Sequence, residues 1–299
     1  MIEILRAPPF ATIQDLGRAG HRAEGVPPAG AMDPRALRLL NGAVGNHPGS
    51  AGLEWALGAG EVRIGRSGLA AAGPGPWRVE GLEVPPWTAV QVRAGQVLIL
   101  DPPAATRFSY LAVAGGMDVP IVLGSRSTYL TGRFGGLEGR LLRTGDRIPI
   151  GEAGRGRAAI IPARDLPDYR RPVRLLDGPQ ARLFGDDAWV QLLAGSYRVG
   201  RASDRMGYRL DGPPLSHSGP AALPSEAACP GAVQVPDGAP PIVLMNDGPT
   251  VGGYPKIAVV ITADLGILAQ SLPGSLPRFV RVRQQDAVLA LRDTGVNAG

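Results

Sequence analysis

Apolar residues along this chain fall in short runs rich in Val, Ile and Leu, each closed by Gly, Pro or a charged residue. EVRIG (61–65), AVQV (89–92), QVLIL (96–100), FSYLAVAGG (108–116) and DRIPI (146–150) have this character. So do PVRLL (172–176), AVQVP (232–236), PIVLM (241–245) and KIAVVIT (256–262). Their length and β-branched content predict strands. Turn signals about every 8–12 residues make the chain mainly β, a sandwich or a barrel.

A helical period shows in three places. MDPRALRLLNGAVGN (32–46) places Leu37, Leu40 and Val44 on one face. Asp33 is suited to cap that helix, and Pro34 to its first position, where a missing N–H costs nothing. Gly45-Asn46 can close it in a left-handed conformation. ADLGILAQSLPG (263–274) predicts a second helix, capped by Asp264 and ended near Pro273. PQARLFGDDAWVQLLAGS (179–196) predicts one or two short helices broken at Gly185. The Arg/Pro-rich ARDLPDYRRP (163–172) follows what reads as the end of a unit, which predicts domains over 1–165 and 166–299.

Composition narrows the class. Of 299 residues, 44% are hydrophobic and 19% charged, enough to build a core. The net charge of +5 comes from scattered arginines, and 5% aromatics give no stacking platform, so nucleic acid is not expected as a partner. The single cysteine, Cys229, excludes an internal disulfide or a CxxC metal site. His21, His47 and His217 are too dispersed to spell a zinc motif, so no metal site is expected. The start MIEILRAPPF lacks the pattern of a secretion signal, and no apolar run approaches membrane-spanning length. The expectation is a soluble cytoplasmic protein.

Three polar stretches carry candidate chemistry. In TIQDLGRAGHRAEGVPPAGAMD (12–33), Gln14, Asp15 and Arg18 gather around Gly17, where the chain can turn sharply. Asp15 and Arg18 form either a carboxylate–guanidinium pair positioning an anionic substrate or a turn braced by its own ions. In SDRMGYRL (203–210), Ser203, Asp204, Arg205 and Arg209 make either an anion site or a turn before a strand. The third stretch runs from a strand through a Pro-Asp-Gly turn to a second strand, then through NDGPTVGGYPK (246–256). Gly248 and Gly253 have the spacing of a phosphate loop, but Tyr254 stands where its lysine must. Lys256 comes two residues late and is the sole lysine among 31 basic residues. It is either a solvated charge at a strand start or a compact ammonium that a guanidinium fork cannot replace.

Four blocks in order, TIQDLGRAGHRAEGVPPAGAMDPRALRLLNGAVGN with Glu54, YLAVAGGMDVPIVLGSRSTYLTGRFGGLEGRLLRTGD (110–146), SDRMGYRLDGP (203–213) and GAVQVPDGAPPIVLMNDGPTVGGYPKIAVVITADL (231–265), resemble the KipA family. That family is also described as biotin-dependent carboxyltransferase-like, allophanate hydrolase subunit 2-like, or the C subunit of prokaryotic 5-oxoprolinase. The resemblance implies two cyclophilin-like β-barrel units with a few short helices. It implies two partners, a KipI-type protein that is the B subunit of 5-oxoprolinase and a LamB/YcsF-type protein that is its A subunit. Together they would carry out an ATP-dependent opening of 5-oxo-L-proline to L-glutamate. ATP with Mg2+ would be shared with a partner. Polar positions matching the family's motifs are Gln14, Asp15, Arg18, Asp33, Asn46, Glu54, Ser203, Asp204, Arg205, Gln234, Asp247, Thr250, Tyr254 and Lys256.

On that basis Asp15, Asp247 and Lys256 are the catalytic candidates. Gln14, Arg18, Ser203, Asp204, Arg205, Gln234 and Tyr254 are the candidates for holding substrate and phosphate. Arg18, Arg205 and Lys256 would hold anionic groups, and Asp15 or Asp247 would orient the amide N–H. Two alternatives stand beside this: a non-catalytic regulator that binds a KipI-type histidine-kinase inhibitor, and a carboxyltransferase acting on urea or a related amide. Lys256 lies in YPK rather than a carrier's Met-Lys, so no biotin is expected on this chain. Pro249 stands where the family pattern leads one to expect Gln, and SEAACPG (225–231) is looser than its usual SEG.

Overall fold

The computed structural model describes residues 1–154, 156–220 and 223–293. The protein is mainly β with short helices, and it divides into two compact units. Unit 1 comprises Met1–Ala19 and Pro28–Pro167, and unit 2 comprises Gly20–Pro27 and Asp168–Gly299.

Unit 1 holds strands β1 (Ile2–Arg6), β2 (Thr12–Gln14), β3 (Gly52–Ala56), β4 (Gly60–Ile64), β5 (Gly68–Gly73) and β6 (Trp77–Val79). It continues with β7 (Leu82–Val84), β8 (Thr88–Val92), β9 (Val97–Leu100), β10 (Phe108–Val113), β11 (Arg147–Ile148) and β12 (Ala159–Ile160). They form two six-stranded sheets, β11-β1-β4-β9-β6-β7 and β12-β8-β5-β10-β3-β2. Alternation decides what each buries. Ile2 and Ile4 of β1 turn into a core with Val62, Leu98, Leu100 and Trp77, while Glu3 turns out to Arg63 at 2.7 Å. The other sheet contributes Ile13, Leu53, Trp55 and Leu111 to the same core.

Helix α1 (Pro34–Ala43) lies against β10, β5 and β8, so β10 is buried on both faces. Asp33 caps it as the sequence predicts, its carboxylate accepting from the Ala36 N–H at 3.1 Å. Leu37, Leu40 and Val44 are fully buried, and Gly45 takes the left-handed conformation. The strand GLAAAG has no β-branched residue to announce it. Its small side chains suit a strand that α1 crosses, and Ala70 and Ala72 still reach the core.

Unit 2 holds β13 (Val173–Asp177), β14 (Arg198–Val199), β15 (Gly207–Asp211), β16 (Glu226–Ala227) and β17 (Ala232–Gln234). It continues with β18 (Ile242–Leu244), β19 (Val251–Gly252), β20 (Lys256–Val260) and β21 (Phe279–Arg281). Its main sheet runs β14-β15-β18-β17-β20-β13-β21, antiparallel except that β13 and β21 are parallel. Around it lie helices α2 (Asp186–Leu193), α3 (Leu265–Ala269) and α4 (Gln284–Asp293). The break at Gly185 is present: a 3-10 turn covers Ala181–Leu183 before α2 begins. Asp264 precedes α3 but does not cap it with its side chain. Its carboxylate takes three hydrogen bonds from Arg174 instead, at 2.7–2.8 Å. A two-stranded arm, β16 with β19, stands apart from the main sheet and pairs Glu226 with Gly252. Among the described residues, no helix is long and apolar enough to cross a membrane.

Candidate functional site

The polar start of unit 1, expected either to position an anionic substrate or to brace a turn, is buried: Gln14, Asp15 and Arg18 are 0%, 8% and 1% exposed. Gly17 does turn the chain, at φ +88°. The segment 125–136 supplies hydroxyls, amides and a ring to what precedes and follows that turn. Gln14 is fully buried, and its Nε2 donates to Thr12 Oγ1 at 3.0 Å and to the Thr128 carbonyl at 3.2 Å. Asp15 Oδ1 accepts from the Gly17 N–H at 2.8 Å, Ser125 Oγ at 2.6 Å and Ser127 Oγ at 2.5 Å. Asp15 Oδ2 accepts from the Arg126 N–H at 2.6 Å. A carboxylate holding four donors has little capacity left to act as a base. Arg18 is 1% exposed, donates to the Ser127 carbonyl at 2.5 Å and lies over the Phe134 ring at 4.9 Å. In this geometry Gln14, Asp15 and Arg18 bind the chain's own loop. A polar cleft of about 270 Å³ beside them is lined by Asp15, His47, Ser50, Asp118 and Arg126 together with glycine backbone.

In unit 2 the residues around 203–207 shape a turn. Ser203 Oγ accepts from the Arg209 N–H at 3.0 Å, and Asp204 Oδ1 accepts from Met206 N–H at 2.8 Å and Gly207 N–H at 3.2 Å. Both are local side-chain-to-backbone bonds of the kind that favour turns. Arg205 grips Asp247 with two parallel hydrogen bonds of 2.9 Å, and the Asp247 N–H returns one of 2.9 Å to the Arg205 carbonyl. Such a fork satisfies both partners. In this geometry Arg205 and Asp247, both expected at the substrate site, hold each other.

Lys256 is different. It opens β20 yet is 3% exposed, so it is not a solvated charge. Its Nζ lies 2.6 Å from Glu226 Oε1, on a side chain that is 40% exposed. The same oxygen accepts from Gln180 Nε2 at 2.7 Å. Gln180 also holds the backbone: its Oε1 accepts from the Lys256 N–H at 3.1 Å, and its own N–H donates to the Lys256 carbonyl at 3.2 Å. The ammonium beside Glu226 keeps that carboxyl below the ordinary carboxylate range; partial burial opposes the shift and Gln180 adds to it.

A shift of register between β17 and β20 sets Gln234 opposite Lys256, where regular pairing after Val233–Ala258 would set it opposite Ile257. Irregularities of this kind re-aim side chains and concentrate next to active sites. Gln234 is 5% exposed, and its buried Nε2 has no hydrogen-bond partner among the described residues. That amide packs on Gly252: a Cβ at residue 252 would lie 2.5 Å from Nε2. Tyr254 is 43% exposed, and Thr250 is buried with its carbonyl accepting from the Ala228 N–H at 2.9 Å.

The structure thus gathers Lys256 and Gln234, expected from the sequence, with Gln180 and Glu226, which were not. The looser SEAACPG block contains Glu226 and was the available signal. Nothing in the sequence marked Gln180.

The chain matches the family described as "Carboxyltransferase domain, subdomain A and B" over residues 24–281. It is 41% identical over 297 residues to the C subunit of the 5-oxoprolinase of Escherichia coli (strain K12), spanning 98% of this chain and 95% of that one. It is 38% identical over 294 residues to the C subunit of the 5-oxoprolinase of Haemophilus influenzae, spanning 96% of this chain and 93% of that one. Among solved structures, the K. lactis urea amidolyase superposes with a TM-score of 0.91 at 27% identity. That match covers 98% of this chain but 19% of the amidolyase, so the chain corresponds to one portion of the larger protein.

Proposed function

This chain belongs to the carboxyltransferase domain family, subdomains A and B, and we propose that it is the C subunit of a 5-oxoprolinase that opens 5-oxo-L-proline to L-glutamate with ATP consumption. The proposed partners are a KipI-type B subunit together with a LamB/YcsF-type A subunit. The observation that carries the reading is the buried Lys256 ammonium, 2.6 Å from Glu226 and opposite Gln234. A lactam carbonyl is a poor electrophile, and a fixed ammonium in a site shielded from water stabilises negative charge developing on its oxygen. In this reading Lys256 supplies that charge, Gln180 fixes its position, and Gln234 offers a second donor.

The residues around Lys256 do not fit a nucleotide with Mg2+. A triphosphate needs several converging cations or backbone N–H groups, and the cluster offers one ammonium beside the Glu226 carboxylate. The arginines that the sequence offers for phosphate are buried against the Ser127 carbonyl or forked onto Asp247. We therefore assign ATP to a partner protein.

The test is reconstitution. Mixed with the two partner types and ATP, the chain is expected to support conversion of 5-oxo-L-proline to glutamate, read as glutamate and ADP formed together. Absence of turnover with all three components present overturns the reading. If the chain then still binds the KipI-type protein tightly, the regulatory alternative replaces it.

The fold match to K. lactis urea amidolyase favours a second reading, a carboxyltransferase acting on urea or a related amide. Lys256 is buried and is the chain's sole lysine, so carboxybiotin would have to arrive on another chain. Strict dependence of turnover on a biotinylated carrier and bicarbonate would select that reading.

A further inference from the structure

The inventory of donors and acceptors around Lys256 is unbalanced in a specific way. Glu226 Oε1 accepts a hydrogen bond from Gln180 Nε2 and lies 2.6 Å from Lys256 Nζ as an ion pair, while Oε2 receives no donor among the described residues on a side chain that is 40% exposed. The buried Gln234 Nε2 has no acceptor among the described residues. A buried amide donor left unpaired is costly, and an incoming acceptor would relieve that cost.

The half-exposed carboxylate and the buried amide share one face of the arm. Gly252 is the cross-strand partner of Glu226 in the arm, and directly opposed residues of an antiparallel pair project to the same face. A Cβ on Gly252 would point at Gln234 Nε2 from 2.5 Å, so the amide lies on the face from which the Glu226 side chain projects. Lys256, opposite Gln234, reaches that face as well.

We infer that Glu226 completes a recognition site for a cis-amide edge: its Oε2 accepts the N–H of a lactam or cyclic urea, and Gln234 Nε2 donates to the neighbouring carbonyl oxygen. A ring amide presents N–H and C=O side by side on one edge, which an acceptor beside a donor matches. An open-chain secondary amide is trans and presents them on opposite sides. Glu226 thus takes over the task first expected of Asp15 or Asp247, whose oxygens are occupied. Because Lys256 holds the Glu226 carboxyl below the ordinary range, the acceptor stays ionised throughout the neutral range. This inference rests on the reading that the Lys256 cluster is the substrate site.

The test uses neutral probes on the full chain, followed by ligand-observed NMR titration. 2-Pyrrolidone and 2-imidazolidone carry the cis N–H and carbonyl, whereas N-methyl-2-pyrrolidone lacks the N–H. Wild type is expected to bind the first two about tenfold or more tightly than the third, the scale of one hydrogen bond to a charged acceptor. In Glu226→Gln the Lys256 and Gln180 donors claim the side-chain oxygen, turning its NH2 toward the ligand, so the N–H preference should disappear. The variant replaces a half-exposed side chain with an isostere, and a thermal midpoint near that of wild type checks its folding. Wild type binding neither lactam, or binding both equally, overturns the inference. An unchanged preference in Glu226→Gln overturns it while leaving the proposed function standing. Loss of the preference in Glu226→Gln, with no 5-oxoproline opening by the reconstituted complex, upholds the cis-amide site and removes the 5-oxoprolinase reading.

Discussion

At the scale of the residue, Asp15, Arg18, Asp247 and Lys256 are all buried, so their partners rather than their burial distinguish them. Asp15 holds four donors, so Asp15→Asn sets an NH2 against hydroxyls and an amide that need an acceptor. The expected result is a loss of about 1–3 kcal/mol in urea denaturation, the cost of leaving buried groups unsatisfied. This reverses the idea, natural from a polar glycine-rich stretch, that the position matters for turnover and little for stability. Lys256 invites the opposite test. Arginine would keep its charge, but a planar fork is wider than the compact ammonium held 2.6 Å from Glu226. Lys256→Arg is expected to lower turnover of the reconstituted complex about tenfold or more, roughly 1.4 kcal/mol of transition-state stabilisation. Full turnover and substrate affinity in that variant would reduce Lys256 to a structural ion-pair partner.

At the scale of the element, short strands carry the site. β16 and β19 are two residues each, and the arm they form sets Glu226 2.6 Å from Lys256 at the start of β20. Gly252 lets the Gln234 amide lie against that arm. Gly252→Ala places a Cβ 2.5 Å from Gln234 Nε2 and forces the amide aside. Because the displaced atom is the end of a flexible side chain, the thermal midpoint should move little while turnover of the complex falls about tenfold or more. A large drop in midpoint with specific activity retained would show that the glycine serves the backbone. The elements also show which signals were readable. The apolar runs at 256–262 and 108–116 contain β20 and β10, and the Asp33-Pro34 pair gave α1 its start. GLAAAG and α4 escaped: alanines have weak β propensity, and Arg283, the residue before α4, is not a favoured N-cap type. Asp264 had the local chemistry of a cap, but Arg174, distant in sequence, outcompeted the helix for its carboxylate.

At the scale of the whole molecule, one ammonium, one carboxylate and one amide donor are too few to activate a lactam and deliver water to it. The chain alone is therefore expected to give no glutamate from 5-oxo-L-proline with or without ATP, measured under the conditions in which the three-component mixture turns over. Robust turnover by the chain alone would mean that it carries a complete site. The sequence by itself determined the mainly β class, the main helices, the family, and the singularity of Lys256, because each rests on local pattern or on ordered motifs. It could not determine which charged residues were already spoken for. Asp15 with Ser127, Arg205 with Asp247, and Lys256 with Glu226 and Gln180 are partnerships between groups far apart along the chain, 112 positions in the first case and 42 in the second. Only the tertiary fold brings such groups together, with a register shift setting Gln234 opposite Lys256. Whether a charge is spent on the fold or kept for a ligand depends on those partners and on exclusion of water, and neither is a local property of the chain.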